Sequence, residues 1–492
     1  MAVEVFGSLY IFFNSKFGKL SKTSKGGISL SIIEFFRYLS EFCIILITAR
    51  LLSPNDFGLV AISISFISII DALTDIGIKT AVIQNREKNL EFLSCAWFLI
   101  ILRALFVFIL LLLFSHQISV YFDKPEIEII IKILALRTIL QALINPYQMY
   151  NIKSLEYKNY TIMMIISTLS KLVIIIPIAI IVQNYWVLII GSLISPFIKV
   201  IISYYLDRRF LMPKINIEKA KIILKFSLWM LLSRFALITK QNIPRLVMAK
   251  SLDFSFVGGF KLSEQLGYFI NNILKKFSSM IILPYFSKKF RNSSKNKTNI
   301  AEEYISFIIS VVFPICILAT ISAEALIYIF FGEKWYFIKN MLICMIIYGG
   351  FLTVSNMLFT LVVAYGKPSI ESKSRILSLI ILILFIVFDH SLNGILNALL
   401  ISGFVMLVLS IIDLFRLKII KILLLAKYVI IDNISVSGIL ITLYFYNNFF
   451  GSIIIDFLLF NIIAILFYMF IAIFTHYFLR RGIVTYIKNF LY

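Results

Sequence analysis

Histidine, cysteine and acidic residues are all scarce in this chain of 492 residues, which has three histidines, four cysteines and 25 Asp and Glu. The cysteines form no CxxC pair and have no histidine nearby, so the sequence predicts neither a metal site nor a disulfide framework. The histidines fall at the ends of apolar segments, where interfacial positions are expected. Because no nucleophile–base pair, phosphate-binding loop or cofactor motif is present, the sequence does not predict an enzyme.

Charged residues are also few, at 15% of the chain, whereas apolar residues make up 61% and the mean hydropathy is +0.97. Soluble domains contain about half apolar and about a quarter charged residues. A soluble fold could not cover so much apolar surface, so the composition predicts an integral membrane protein. The net charge is +22, but the sequence shows no soluble domain on which the basic residues could form a binding face. This argues against nucleic-acid binding.

Apolar segments long enough to cross a bilayer recur along the whole sequence. A transmembrane helix needs about 20 mostly apolar residues. We therefore predict an all-α integral membrane protein with about fourteen transmembrane helices, or twelve if the last pair does not span. The predicted spans are 27–49, 57–78, 92–115, 128–150, 161–182, 185–206, 226–249, 257–286, 301–331, 335–365, 376–388, 391–412, 428–445 and 453–475.

Lysine and arginine are concentrated in alternate connections between these spans. Residues 1–26, the C-terminal tail and every second connection together hold 30 of them, and the remaining connections hold four. Cytoplasmic loops of membrane proteins carry this excess of positive charge. We therefore predict that both termini are cytoplasmic and that residues 1–26 form a cytoplasmic segment.

The basic connection 207–225 divides the predicted spans into two groups. Residues 27–206 form a predicted N-terminal six-helix bundle, 226–412 a C-terminal six-helix bundle, and 413–492 an additional helix pair with a cytoplasmic tail. A short internal repeat fits this division, because Ala-Arg-Leu-Leu at 49–52 followed by Gly58 matches Ala-Lys-Ser-Leu at 249–252 followed by Gly258. We predict that the two bundles are related by a pseudo-twofold axis.

Ionisable residues inside the predicted spans are candidates for function, since a charge in hydrocarbon is costly and generally faces a bundle interior or a water-filled cavity. Glu34, Arg37 and Glu41 share one face of the first span, and Asp71 lies on the second. Arg37 is either part of a substrate site or a structural partner of the glutamates. Glu34, Glu41 and Asp71 are the candidates for binding a proton or sodium counter-ion.

The seventh and eighth spans also carry polar faces. Arg234, Gln241 and Arg245 follow one another at helical spacing, Pro244 is predicted to interrupt this helix, and Lys261 begins a polar stripe on the eighth span. The predicted cavity is cationic, with Arg37, Arg234, Lys240, Arg245 and Lys261 against Glu34, Glu41 and Glu264. Arginine binds anionic groups such as phosphate through paired charge-assisted hydrogen bonds, so this charge suits an anionic substrate.

Residues 49–61 read ARLLSPNDFGLVA and closely resemble a signature of the bacterial polysaccharide exporters, the Wzx-like flippases of the multidrug/oligosaccharidyl-lipid/polysaccharide superfamily. DIGI at 75–78, AVIQ at 81–84 and PYFSK at 284–288 resemble further parts of the family pattern. The resemblance implies an inner-membrane transporter that flips undecaprenyl-diphosphate-linked sugar units between leaflets. The expected partners are the lipid-linked oligosaccharide, membrane lipids and a counter-ion.

Two rival functions remain open at this level. A transporter of the same superfamily could carry a peptidoglycan lipid precursor or a drug, although a drug exporter is expected to have an acidic cavity. A membrane polysaccharide polymerase or ligase would need a sizeable external loop with catalytic residues. Every predicted external loop has about twelve residues or fewer, which argues against such an enzyme.

Overall fold

A computed structural model describes residues 22–75, 77–84, 89–154, 156–277, 286 and 297–419. Within these ranges the regular structure is entirely helical. The helices are α1 (Lys22–Leu51), α2 (Pro54–Thr74), α3 (Ile78–Gln84), α4 (Leu90–Tyr121), α5 (Glu126–Ala142), α6 (Tyr147–Lys153), α7 (Lys158–Val182), α8 (Trp186–Leu206), α9 (Ile217–Ser251), α10 (Phe254–Gly267), α11 (Phe269–Phe277), α12 (Lys297–Ile321), α13 (Ala323–Phe330), a 3-10 helix (Glu333–Ile338), α14 (Lys339–Ala364), α15 (Pro368–Phe388) and α16 (Leu392–Arg416).

Several of these helices present large apolar side chains outward. Among the described residues, six helices are long and apolar enough to cross a membrane, or seven if the bent pair α12–α13 is one span. Ile181 at the end of α7 is 80% exposed and Phe388 at the end of α15 is 85% exposed. A surface of this kind is stable against hydrocarbon rather than water, so the fold is that of a membrane protein.

The start of α2 explains the most recognisable motif of the sequence. Ser53 and Asp56 form a capping box, in which the Ser53 hydroxyl accepts from the Asp56 amide at 3.2 Å and the Asp56 carboxylate accepts from the Ser53 amide at 3.0 Å. Pro54 occupies the first turn, where its missing N–H costs no hydrogen bond. The motif therefore sets where α2 begins.

The repeated glycines lie at a reciprocal crossing of α2 and α10. A methyl group on Gly58 would overlap the carbonyl of Phe254, and one on Gly258 would overlap the carbonyl of Pro54. Both glycines thus allow backbone contact, and the two contacts are related by the same offset of 200 residues as the sequence repeat. Around this crossing α2 packs against α9 and α10, α1 packs against α7, and α9 packs against α15.

Two predicted spans are divided within the described residues. The fourth, predicted over 128–150, ends at Ala142, because Pro146 restrains the preceding residue and the Asn145 side chain accepts from the Tyr147 amide at 3.0 Å to start α6. The eighth, predicted over 257–286, breaks at Tyr268. There Gly267 meets the backbone of Met345 on α14, a contact that hydropathy does not reveal.

The ninth and tenth spans are each predicted as one helix. The tenth agrees with a segment over Glu333–Ala364 that is long and apolar enough to cross a membrane, whereas the ninth is divided. Residues 301–331 divide into α12 and α13, with a bend of 67° between them. Residues 335–365 begin with the 3-10 helix, because Gly332 adopts a left-handed φ of 89° and the Trp335 indole donates to the Ala49 carbonyl at 2.7 Å. Contacts with the end of α1 thus shape the first turns of this segment.

The eleventh span is longer than the predicted 376–388. It begins at Pro368, because its charged first turns are held by a pair between Arg375 and Glu371 at 2.5 Å and by a bond from Arg375 to Asn356 at 3.0 Å. The predicted interruption at Pro244 was wrong too, since α9 runs continuously from residue 217, inside the predicted linker, to residue 251. The predicted thirteenth and fourteenth spans lie outside the described residues.

Candidate functional site

A cavity of about 340 Å³ lies among α1, α2, α9, α10 and α11. Four of the predicted site residues line it: Glu41, Gln241, Arg245 and Lys261. They come from both predicted halves and meet because helical spacing places each on the inward face of its own helix. Aromatic and amide side chains complete the wall, among them Tyr38, Phe42, Asn242, Gln265, Tyr268, Phe269 and Asn272.

Arg245 is the most deeply placed cation in this wall. Its guanidinium pairs with the Glu264 carboxylate, and the two side chains are only 7% and 6% exposed. It also donates to Asn242 at 3.0 Å and to Ser65 on α2 at 3.4 Å, so it ties α9 to both α10 and α2. Its Nε is buried without a hydrogen-bond partner among the described residues, which leaves one donor for a ligand or water.

Lys261 lies one turn before Glu264, with its ammonium 3.6 Å from the same carboxylate. The Glu264 carboxylate therefore interacts with two cations, Arg245 and Lys261. Glu41 contributes a second carboxylate to the wall, so two cations and two carboxylates line the cavity within the described residues. The predicted cationic wall differs from that balance, because Arg37, Arg234 and Lys240 are not among the residues that line this cavity.

Arg37 and Glu41 form an ion pair at 3.3 Å along α1. The Arg37 guanidinium also lies over the ring of Tyr38, 4.5 Å from its centroid. The side chain of Glu41 is 41% exposed, so the pair is open to the cavity and exchangeable rather than sealed in the core. The side chain of Glu34 lies outside the described residues.

Arg234 and Asp71 lie away from the cavity, in a second charged network. Arg234 pairs with Asp75 at the end of α2, and Arg103 on α4 pairs with Asp71 and, at 3.2 Å, with Asp75. Arg234 shares a helical face with Arg245 but is eleven residues earlier, which is roughly 16 Å along the helix axis. Sequence reasoning missed Arg103, although an arginine inside an apolar span was a sufficient signal.

Lys240 does not line the cavity either, because its side chain points toward α14 and α15 of the C-terminal part. Its buried ammonium donates to the Ser378 hydroxyl on α15 and lies 5.6 Å from the ring centroid of Tyr348. Ser378 in turn donates to the carbonyl of Ser402 on α16 at 3.0 Å. Lys240 therefore joins three helices of the C-terminal part and does not contribute charge to the cavity wall.

Solved structures of membrane transporters share this helical fold. A lipid II flippase MurJ in an inward closed conformation superposes with a TM-score of 0.67 over 92% of this chain and 100% of that structure, at 15% identity. An inward-facing multidrug resistance transporter of the MATE family gives 0.57 over 78% of this chain and 95% of that structure, at 16% identity. At these identities the likeness concerns the fold.

The chain belongs to the polysaccharide biosynthesis protein family, whose model matches residues 47–340. It is 25% identical to a membrane protein of the cps region of Klebsiella pneumoniae over 361 residues, 73% of this chain and 74% of that protein. It is 22% identical to the lipopolysaccharide biosynthesis protein WzxC of Escherichia coli K12, over 71% of each chain. The resemblance of residues 49–61 to polysaccharide exporters is thereby confirmed.

Proposed function

We propose that this protein is an alternating-access flippase, not an enzyme, which moves a polyprenyl-diphosphate-linked oligosaccharide from the inner to the outer leaflet of the bacterial cytoplasmic membrane. The cargo would be an O-antigen, capsule or exopolysaccharide repeat unit. The observation that supports this proposal most directly is the charged cavity, which lies between α1 and α2 of one half and α9 to α11 of the other. Family membership and the relative named for lipopolysaccharide biosynthesis support the substrate class.

Contacts on the predicted outer side support alternating access. Arg50, at the end of α1, donates to the carbonyls of Ile329 and, at 3.2 Å, Phe330 at the end of α13. Its repeat counterpart Lys250, at the end of α9, donates to the carbonyl of Tyr121 at the end of α4, at 2.8 Å. Each cation therefore meets the negative end of a helix in the opposite half, a favourable interaction.

The connection before α14 strengthens this closure. Lys334 donates to the carbonyls of Arg50 at 2.8 Å and Leu52 at 2.7 Å, and the Phe57 and Trp335 rings meet edge to face. We call Arg50, Lys250 and Lys334 the outer clamp. Opening of the cavity to the outside would break the outer clamp, whereas opening to the cytoplasm would break the pair between Arg234 and Asp75.

Deletion of the gene tests the proposed function in cells. We expect the deletion strain to lose surface polysaccharide and to accumulate its lipid-linked repeat unit in a form that external glycosidases cannot reach. A plasmid copy of the wild-type gene should restore both. Loss of peptidoglycan integrity or a change in drug tolerance, with normal surface polysaccharide, would instead assign the transporter a different cargo.

Glu41→Gln tests the proposed role of Glu41 in counter-ion exchange. Since Glu41 is 41% exposed, loss of its pair with Arg37 should cost at most about 1 kcal/mol, and membrane abundance should stay near the wild-type level. We expect export by this variant to become insensitive to collapse of the proton or sodium gradient. Export of polysaccharide is followed in cells treated with an ionophore, with Lys132→Gln as the control because Lys132 is exposed and paired with Glu128 at 2.6 Å. A Glu41→Gln variant that keeps the wild-type response to the ionophore contradicts this role.

A further inference from the structure

The connection between α8 and α9 exposes an unusual number of large apolar side chains. Residues 207–216 form no helix or strand. Five apolar side chains in this connection and in the helix turns beside it are 62–73% exposed: Tyr205, Phe210, Met212, Ile215 and Ile217. Apolar side chains that are exposed so close together mark a surface that binds a protein or a membrane.

The backbone of this connection is held firmly against α4. The Ser94 hydroxyl donates to the Met212 carbonyl and accepts from the Lys214 amide at 3.0 Å. Leu211 packs inward, against the apolar cluster that includes Phe92 of α4. The exposed side chains are therefore displayed by an anchored backbone.

These anchors place the connection at the ends of membrane-spanning helices. Ser94 is the fifth residue of α4 and Leu206 is the last of α8, and both helices are long and apolar enough to cross a membrane. Asn145, just beyond the end of α5, donates to the Asp207 carbonyl at 2.8 Å. The connection thus runs across the helix ends, at the level of the lipid headgroups. Tyr205 suits this level, because tyrosine is enriched at membrane interfaces.

The exposed charge of this connection is mainly positive. Asp207 is buried, and the Arg209 guanidinium donates to its two carboxylate oxygens at 2.8 and 2.6 Å. Glu218 is the only other carboxylate between residues 205 and 221. Three further cations are exposed, and none lies within 4 Å of a carboxylate among the described residues: Arg208, Lys214 and Lys221.

Apolar side chains interspersed with cations at a membrane interface are typical of segments that bind anionic lipids. Protein–protein interfaces, in contrast, are depleted of lysine. We propose that the five exposed apolar side chains and Arg208, Lys214 and Lys221, together the linker surface, dock on anionic phospholipids of the adjoining leaflet, of the phosphatidylglycerol class. The apolar side chains enter the interface and the cations bind the headgroup phosphates. This proposal concerns the membrane and not the cargo, so it does not rest on the proposed function.

Docking of the linker surface would fix one end of a helix that lines the cavity. Ile217 and Lys221 belong to the first turns of α9, and the same continuous helix carries Gln241 and Arg245 to the cavity wall. Anionic lipid would therefore hold α9 at the membrane surface, at the point where the two halves are joined.

Photocrosslinking from the linker surface tests this assignment. Full-length protein with the photoreactive analogue p-benzoylphenylalanine in place of Phe210 is placed in nanodiscs of equal parts phosphatidylglycerol and phosphatidylcholine, and the captured lipid is identified by mass spectrometry. We expect phosphatidylglycerol to be captured about tenfold more than phosphatidylcholine. Lys214→Gln/Lys221→Gln should reduce this preference at least about fivefold, because lysines near the surface attract anionic headgroups.

Two matched controls separate a local site from the general charge of the protein. The same analogue in place of Phe197, which is exposed near the middle of α8, should capture both lipids without preference. Lys367→Gln/Lys373→Gln removes two exposed lysines from another connection on the same predicted side, and it should leave capture from position 210 unchanged.

Several outcomes would overturn the linker surface. These are equal capture of the two lipids from position 210, an unchanged preference in Lys214→Gln/Lys221→Gln, and capture of a protein instead of a lipid when the experiment is repeated in intact cells. If the double lysine variant is not monodisperse, the two single variants are compared on the same terms.

Discussion

Arg245→Ala is expected to reduce surface polysaccharide to the level of the deletion strain. Its guanidinium is buried against Glu264, so removing it leaves a buried carboxylate whose remaining partner is Lys261 at 3.6 Å. Breaking a buried pair on one side typically costs about 3–5 kcal/mol. We therefore expect lower membrane abundance as well as lost export, measured by immunoblot and by polysaccharide staining of the same cells.

A second variant separates folding from transport at this site. Arg245→Met/Glu264→Leu replaces both charges with apolar groups of similar volume, which is often neutral for stability. The Lys261 side chain loses its carboxylate in this variant, but it is 29% exposed and its ammonium can be hydrated in the cavity. We therefore expect the variant to recover abundance but not export, since the cavity then lacks a cation that contacts both α2 and α10. Lys339→Ala serves as the control, because its pair with Glu324 at 2.5 Å is exposed and contributes about 0–1 kcal/mol. Recovery of export by the double variant would show that the pair is structural only.

Loss of the outer clamp is expected to open the cavity to the outside. Arg50→Gln/Lys250→Gln removes the two repeat-related cations, each of which contributes about 0.3–1 kcal/mol at a helix end. A combined loss near 1.4 kcal/mol shifts the ratio of the two states about tenfold. We expect a cysteine placed at Gln241 to react about tenfold faster with an impermeant thiol reagent added outside intact cells, and export to fall.

The same labelling experiment contains its own control. Lys339 and Glu324 both belong to the C-terminal half, so Lys339→Gln removes a charge from the predicted outer side without breaking a contact between halves. It should leave the labelling rate unchanged. A labelling rate in Arg50→Gln/Lys250→Gln equal to that of the parent would contradict the assignment of these residues to the outer closure.

Helical periodicity explains which of the predicted residues line the cavity. Gln241, Arg245 and Lys261 lie on the cavity because residues spaced by whole turns share a face, and a charged face inside an apolar helix turns inward. The repeat at Gly58 and Gly258 predicted only two related halves. The structure adds that both glycines lie where α2 and α10 approach closely.

What the sequence did not predict depends on contacts between helices. Arg234 has the right periodicity but a different depth, and its partner Asp75 could not be chosen from spacing alone. The bend at Ser322 lies inside an apolar run, where hydropathy is unchanged. The break at Tyr268 accompanies the contact of Gly267 with Met345 on α14, which cannot be predicted from one helix alone.

Translocation by purified protein in liposomes tests the central claim most directly. A fluorescent oligosaccharide linked to polyprenyl diphosphate is incorporated into both leaflets, and the fraction that an impermeant quencher reaches is followed over time. The account predicts that wild-type protein exposes the protected fraction, that Arg245→Met/Glu264→Leu does not, and that the lipid without its sugars is moved more slowly. If wild-type protein binds the lipid but the quencher reaches the protected fraction no faster than in protein-free liposomes, the result would contradict the account.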